Sequence, residues 1–300
     1  MEAGLNGVYM VITAGQKTLF LLFMCMAVLL SPLAAPAAEL TVPDRYETVQ
    51  KAVESARPGD TVVVRAGLYR ENIVIAKPLT LKGAGISGEV VIEAARSSEP
   101  VITVRSAVGA TVHGVSAIES DVAGIYIYDS RETKILESAF NGNRYGIHIE
   151  KSEGSFVEGN RTEDNEYGIY LTGSNDNVIK GNRADKNRDK GIILVDSSRN
   201  TLTENSATGN YWDGVNLFNS HGNSITDNKL WKNTFAMVII SSEENELSGN
   251  SKMRRLYLIL PVFLVYLGIV IYLVERKLFY MFLSGPKHKK SKQMGSFGGG

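Results

Sequence analysis

AFNGNRYGIHIEKSEGSFVEGN (139–160) is followed by RTEDNEYGIYLTGSNDNVIKGN (161–182), RADKNRDKGIILVDSSRNTLTEN (183–205), SATGNYWDGVNLFNSHGNSITDN (206–228) and KLWKNTFAMVIISSEENELSGN (229–250). Each block ends at asparagine, with spacings of 22, 23, 23 and 22 residues, and an earlier block ends at Ser138. Asn143, Asn165, Asn187, Asn210 and Asn233 form a second asparagine column. Gly124, Gly146, Gly168, Gly191 and Gly214 form a glycine column closed by Ala236. Ser130, Ser152, Ser174, Ser197, Ser220 and Ser242 make a serine column. An apolar column runs through Ile135, Val157, Ile179, Leu202, Ile225 and Leu247.

These columns point to strands. After each glycine the residues alternate with period two: Ile147 inward, His148 outward, Ile149 inward. No 3.6-residue stripe appears, and Asn, Gly and Ser punctuate the chain too often for helices. A block this small cannot bury an apolar face alone, so it must stack on its neighbours. Stacking places like residues above like at about 4.8 Å. An asparagine column can then bond along the stack as an amide ladder, whereas an unpaired buried amide costs about 1–3 kcal/mol. The asparagine columns are therefore read as structural. That includes Asn160, although Asn160-Arg161-Thr162 matches a glycosylation pattern. The fold expected is all-β, a right-handed parallel β-helix with regular coils over 116–250.

Residues 39–115 extend the same architecture less regularly. Residues 46–56 form an amphipathic helix pattern with Val49, Ala52, Val53 and Ala56 on one face, ended by Arg57-Pro58-Gly59-Asp60. Strands are expected at 61–64, 72–75, 79–81, 90–92 and 101–104. The helix is expected to cap the N-terminal end, where open strand edges invite aggregation. The stretch ETVQKAVESARPGDTVVVRAGLYRENIVIAKPLTLKGAG (47–85) resembles the opening of pectin-lyase-like β-helices. The pattern N-x-Y-G-I-x-L-x-x-S-x-x-N resembles the NosD type, also called the carbohydrate-binding and sugar-hydrolysis domain. The resemblance covers residues 41–250. It implies the β-helix fold. Its members are polysaccharide lyases, hydrolases, epimerases, surface proteins and a soluble periplasmic accessory of copper-enzyme maturation.

Two apolar runs flank the repeats. Residues 19–30 are twelve apolar residues after Lys17, followed by Ala35-Pro36-Ala37. Twelve helical residues reach ~18 Å, short of a ~30 Å hydrocarbon core, so 1–38 reads as a signal peptide. Residues 256–274 are nineteen without a charge, enough to cross a bilayer. Three basic residues precede this run and six follow it, which puts the basic tail 275–300 in the cytoplasm. The expectation is a single-pass membrane protein with its β-helix outside the cell or in the periplasm. Residues 39–251 carry 22 Lys/Arg against 30 Asp/Glu, which argues against a nucleic-acid partner. The only cysteine, Cys25, lies in the first run. Disulfides and thiolate chemistry are then excluded from a mature chain.

Ligands of a stacked fold lie along outward columns. One column holds Tyr126, His148, Tyr170, Ile193, Asn216 and Val238; the next holds Tyr128, Glu150, Thr172, Val195, Phe218 and Ile240. Tyr126, Tyr128, His148, Glu150, Tyr170, Asn216 and Phe218 are the candidate ligand-binding residues, for a glycan or a surface or membrane protein partner. Ordinary β-propensity explains the same composition. Tyr145, Tyr167, Trp212 and Phe235 could widen the strip. No catalytic residue set is assigned. Glu204 and Asp227 share a column but read as turn acids, and Arg161 and Arg199 have no evident acidic partner. Calcium would need clustered carboxylates. Copper would need His113, His148, His221 or Met237 to converge. Neither cofactor is expected. The leading reading is a non-enzymatic surface β-helix. The alternatives are a polysaccharide-active lyase, hydrolase or epimerase, and an accessory of copper-enzyme maturation.

Overall fold

The computed structural model describes residues 36–85, 88–254, 270–274 and 276. Between Ala38 and Arg254 the described chain winds into a right-handed parallel β-solenoid of about nine turns. One sheet has ten strands, from Glu39–Val42 to Glu246–Ser248. A second has eight, from Ile73–Ile75 to Phe235–Ile240. A third has four, Gly67–Arg70, Val90–Glu93, Ser116–Ile118 and Ala139–Asn141. That third side continues as single bridges through Arg161, Arg183, Ser206 and Lys229. It ends where Ser251–Arg254 pairs with Lys229–Asn233. Every pairing is parallel, and the register is the one the columns demand: Tyr126 opposite His148, His148 opposite Tyr170.

The apolar column fills the interior, with Ile135, Val157, Ile179, Leu202 and Ile225 all fully buried. Leu247, its last member, is 43% exposed because its strand is the last of its sheet.

The ladders form as the amide argument requires. The backbone N–H of Asn160 donates to Oδ1 of Asn182 at 2.9 Å, and that of Asn182 to Oδ1 of Asn205 at 2.9 Å. The side-chain Nδ2 of Asn182 donates down to the carbonyl of Val157 at 2.8 Å. Asn143, Asn165, Asn187, Asn210 and Asn233 repeat the motif. The serine column does so through hydroxyls, as where Ser152 N–H donates to Ser174 Oγ at 3.1 Å. A third asparagine ladder, unread in the sequence, runs through Asn177, Asn200, Asn223 and Asn245.

The glycine column answers a close approach. A Cβ on Gly168 would sit 2.5 Å from the Gly191 carbonyl oxygen and 2.8 Å from Asn187 Nδ2. Turns between the sheets use left-handed backbone. Glu137, Gly159, Gly181, Glu204, Asp227 and Gly249 share one such position, all at positive φ. Glu204 and Asp227 are thus exposed turn residues in the slot that glycine fills elsewhere. The two arginines do have partners. Arg199 pairs with Asp176 at 2.8 Å and Arg161 with Glu163 at 2.6 Å. The partners were missed because one sits a coil away and the other two residues on.

Helix α1 (Val49–Ser55) is shorter than 46–56 because Thr48 is its N-cap, its hydroxyl accepting from Lys51 N–H at 3.2 Å. Val49, Ala52 and Val53 are buried. Gln50 Oε1 accepts the N–H of Val74, in the terminal strand of the eight-strand sheet, at 2.8 Å. The expected signal peptide lies, up to residue 35, outside the described residues, and so do most of the run 256–274 and of the tail 275–300. Residues 270–274 are helical with their apolar side chains exposed. No helix among the described residues is long and apolar enough to cross a membrane.

Three substitutions test this packing. Asn182→Ala strands the Asn160 N–H and the Val157 carbonyl, and should cost about 2–3 kcal/mol in urea unfolding. Asn250→Ala, at the open end of the same ladder, should cost clearly less. Gly168→Ala should cost at least about 1–3 kcal/mol by overpacking. Amide exchange of Gly191 and its neighbours should show the local opening.

Candidate functional site

The eight-strand sheet carries the predicted site. Its long strands (Ala123–Tyr128, Tyr145–Glu150, Tyr167–Thr172) hold inward isoleucine and leucine, so the intervening side chains face out. Six rings meet there. Tyr126 lies 5.0 Å from His148 and 5.9 Å from Tyr128, centroid to centroid. His148 lies 4.8 Å from Tyr145 and 5.3 Å from Tyr170. Tyr145 stacks on Tyr167 at 5.3 Å with planes 19° apart. Five of the seven candidate residues, Tyr126, Tyr128, His148, Glu150 and Tyr170, are therefore contiguous. Asn216 and Phe218 stand two coils beyond Tyr170 and Thr172, behind a rung of Ile193 and Val195. Asn216 is occupied with Asp213, donating to Oδ2 at 2.7 Å.

The ring faces in this ladder are largely taken. Neighbouring rings cover them, and cations cover others: Arg144 over Tyr145 at 5.3 Å, Lys151 over Tyr128 at 5.5 Å, Lys190 over Tyr167 at 5.7 Å. Tyr126 donates its hydroxyl to Glu150 Oε2 at 2.6 Å. Burial, and then that bond, push the Tyr126 hydroxyl well above the ordinary phenol range. Burial pulls His148 down to about 4, with Glu150 opposing, so its imidazole is neutral at physiological pH. Its Nε2 is buried with no hydrogen-bond partner among the described residues.

The ladder ends abruptly below Tyr126 and Tyr128. The next coil puts Thr103 and Arg105 in those columns, and neither carries a ring. Beside this step is a cavity of about 460 Å³ lined by Thr103, Arg105, Tyr126, Tyr128, Val74 and Pro100. Its wall is a long loop. Eight residues separate Glu93 from Ile102, where three separate Asn141 from Tyr145 two coils later. Asn72 pins that loop, donating to the Pro100 carbonyl at 2.9 Å and accepting from Arg96 N–H at 2.8 Å. The cavity was not foreseen. Its sequence signal was the coil from Thr80 to Thr111, longer than the 22–23-residue period.

A second feature was also missed. Asp189, Lys190 and Asp213 continue the face above Tyr167. Lys190 takes the tyrosine position opposite Tyr167, and its Nζ is 3.0 Å from Asp189. Asp213 is 4% exposed, and burial raises its pKa while Asn216 and Lys190 hold it down. The signal was one extra residue in each of Asn187–Gly191 and Asn210–Gly214, which moves a charged side chain into a ring column. In the turns leading into these strands Asp121, Arg144, Glu166 and Arg188 line a charged groove, with Arg144 3.5 Å from Glu166. Exposed pairs of this kind are worth at most about 1 kcal/mol.

The histidines stay apart. His113 Nε2 faces Glu137 at 3.3 Å, and His221 Nδ1 accepts from Glu243 N–H at 3.1 Å. Among the described residues no three His, Cys, Asp or Glu side chains converge on a metal-sized site.

Residues 82–252 match the family described as "Periplasmic copper-binding protein (NosD)". A 71-residue stretch is 41% identical to the F-box protein SKIP5 of Arabidopsis thaliana, spanning 23% of this chain and about a quarter of that protein. Among solved structures, a lacto-N-biosidase from Eubacterium ramulus is similar with a TM-score of 0.54 at 11% identity, covering 80% of this chain and 59% of that one. An alginate lyase from a Paenibacillus species gives 0.49 at 13% identity, covering 72% and 98%. Identities this low show the fold alone.

The family description implies copper, and the described residues do not fit it. His148 has tyrosine rings rather than nitrogen or sulfur donors around it, and Met237 lies in a core column. The family is periplasmic, in accord with an extracytoplasmic β-helix. Matched over 82–252, more than half of its 300 residues, and folded as stacked parallel coils, the chain belongs to the NosD family.

Proposed function

We propose that this chain is a membrane-anchored extracytoplasmic β-helix that holds a glycan at the foot of its tyrosine ladder without turning it over. One observation carries the reading: a stack of rings stops at a cavity, with Tyr126 and Tyr128 as its last rung. A pyranose ring there would be the next rung, its C–H face against tyrosine and its hydroxyls within reach of polar wall groups. Arg105 adds a cation at the rim. Anchoring is supported by the uncharged run 256–274 and its basic flanks.

A polysaccharide-active lyase, hydrolase or epimerase is the second reading. It is favoured by Asp213, a buried carboxyl on the same face whose pKa burial raises while the nearby Lys190 amine and Asn216 hold it down.

A glycan array probed with the full chain in detergent should identify a bound sugar. Thr103→Tyr adds a rung and fills the cavity without removing a contact, and should weaken that sugar at least about tenfold, ~1.4 kcal/mol. Undiminished binding by Thr103→Tyr would remove the cavity from the reading. New reducing ends or unsaturated product, lost in Asp213→Asn, would replace it with the enzyme.

His148 gives a pH prediction. The unfolded imidazole takes its proton near 6.5 and the folded one near 4, so acidification through that window favours the unfolded chain. Stability should fall there by up to about 3 kcal/mol and level off below pH 4. His148→Gln should lack this component in denaturant titrations at pH 7 and 4, and the His148 Cε1 proton shift should stay that of the neutral ring down to pH 5.

A further inference from the structure

The two ends of the solenoid differ. At the first coils α1 buries Val49, Ala52 and Val53 and bonds to a terminal strand. At the last coil the core columns surface. Ile239 is 37% exposed above fully buried Leu217, as Leu247 is above Ile225. Tyr211, Trp212, Phe218, Phe235 and Ile240 are exposed around the same end. These are most of the large apolar side chains that the solenoid leaves in water, and a patch of this kind marks an interaction surface.

No further repeat lies between Asn250 and the uncharged run 256–274. The Asn, Gly and Ser punctuation stops at Asn250. Arg255 alone stands between the strand Ser251–Arg254 and the uncharged run 256–274. One extended residue reaches ~3.5 Å. A span beginning at 256 would leave the last coil no room to stand away from the bilayer.

We propose that the C-terminal end of the solenoid beds on the phospholipid surface. This rests on the anchored reading above. Trp212 and Phe235 occupy the level where aromatic rings collect at membrane interfaces. The sequence places three basic residues, Lys252, Arg254 and Arg255, at the boundary, where lipid phosphates attract them. Glu243, Glu244 and Glu246 on the same end are exposed and hold the contact to the headgroups. The open edges of Phe235–Ile240 and Glu246–Ser248 meet polar headgroups there, not hydrocarbon, which would leave them unsatisfied. The solenoid then stands on the membrane. Tyr126 lies five rungs from Val238, so the sugar cavity is held ~24 Å above the lipid.

The two tryptophans of the chain, Trp212 and Trp231, both lie in the last two coils and report on this end. The full chain is reconstituted in phosphatidylcholine vesicles with and without lipid brominated near the glycerol. Roughly a two-fold drop in tryptophan emission is expected, as for rings at the headgroup level. It should persist in Trp231→Phe, which isolates Trp212, and shrink in Phe235→Glu/Ile240→Glu with an unchanged β circular dichroism spectrum. Unquenched emission from protein that resists carbonate extraction would overturn the docking and leave the anchor standing. Protein stripped by carbonate would overturn both. Unquenched emission together with a disulfide-linked dimer of Trp212→Cys would assign this end to a second copy instead.

Discussion

The buried carboxamide ladder is the constraint on which the rest depends. An asparagine inside the solenoid has one acceptor and two donors to satisfy away from water. It does so by accepting from the coil beneath through Oδ1 and donating back to that coil's carbonyls through Nδ2. That geometry works only if consecutive coils are identical in path to within a fraction of an ångström. The glycine column follows from it, because the ladder amide of the next coil occupies the place of a Cβ. The left-handed turn residues follow too, since a coil of 22 residues closes only with sharp corners between its three sides. Apolar burial supplies the driving force, but burial alone tolerates slippage. The ladders fix the register, and the register decides which outward side chains become neighbours.

Regularity of this kind limits where a site can arise. A perfect repeat presents the same rung at every level, so a pocket needs a break in the pattern. The chain has two kinds of break. The long coil between Thr80 and Thr111 adds residues to the turns and walls the cavity beside Tyr126. The single insertions before Gly191 and Gly214 replace tyrosine with Lys190 and Asp213 in a column that is aromatic lower down. Both breaks lie on the eight-strand side, which has the longest strands and so the widest flat face. The other two sides carry three-residue strands in the regular coils and offer little surface on which to arrange a ligand.

This division explains what could be read from the sequence. Columns that recur five or six times, such as Asn143 to Asn233 or Ile135 to Leu247, identify themselves without coordinates, and the strand pairing follows. The ladder through Asn177 and Asn245 was equally regular, but it begins at Ser155 and lies between stronger columns. Vertical neighbours were legible, hence Tyr126, His148 and Tyr170. Contacts across columns were not: the hydroxyl of Tyr126 bonding Glu150, or Tyr145 wedged between His148 and Tyr170, depends on side-chain rotamers. Nor was the cavity, which depends on how a non-repeating loop folds back under Asn72. A repeat reveals what is conserved from coil to coil, and a site is built from what is not.

The ladder also has a direction. The backbone N–H of each ladder asparagine donates to the carboxamide of the following coil, never to that of the preceding one. The first coil is therefore met by acceptors already made, while at the last coil no carboxamide among the described residues stands above Asn245 and Asn250. The C-terminal end of the stack therefore adds the backbone N–H groups of these two asparagines to the open strand edges, ringed by aromatic and aliphatic side chains. Phosphate and ester oxygens supply acceptors without demanding a matching strand, and the shallow interfacial zone admits the rings. A protein strand laid over this end would have to match its register. A headgroup layer has none to match, and that tolerance favours lipid over a folded partner as the surface against which this solenoid ends.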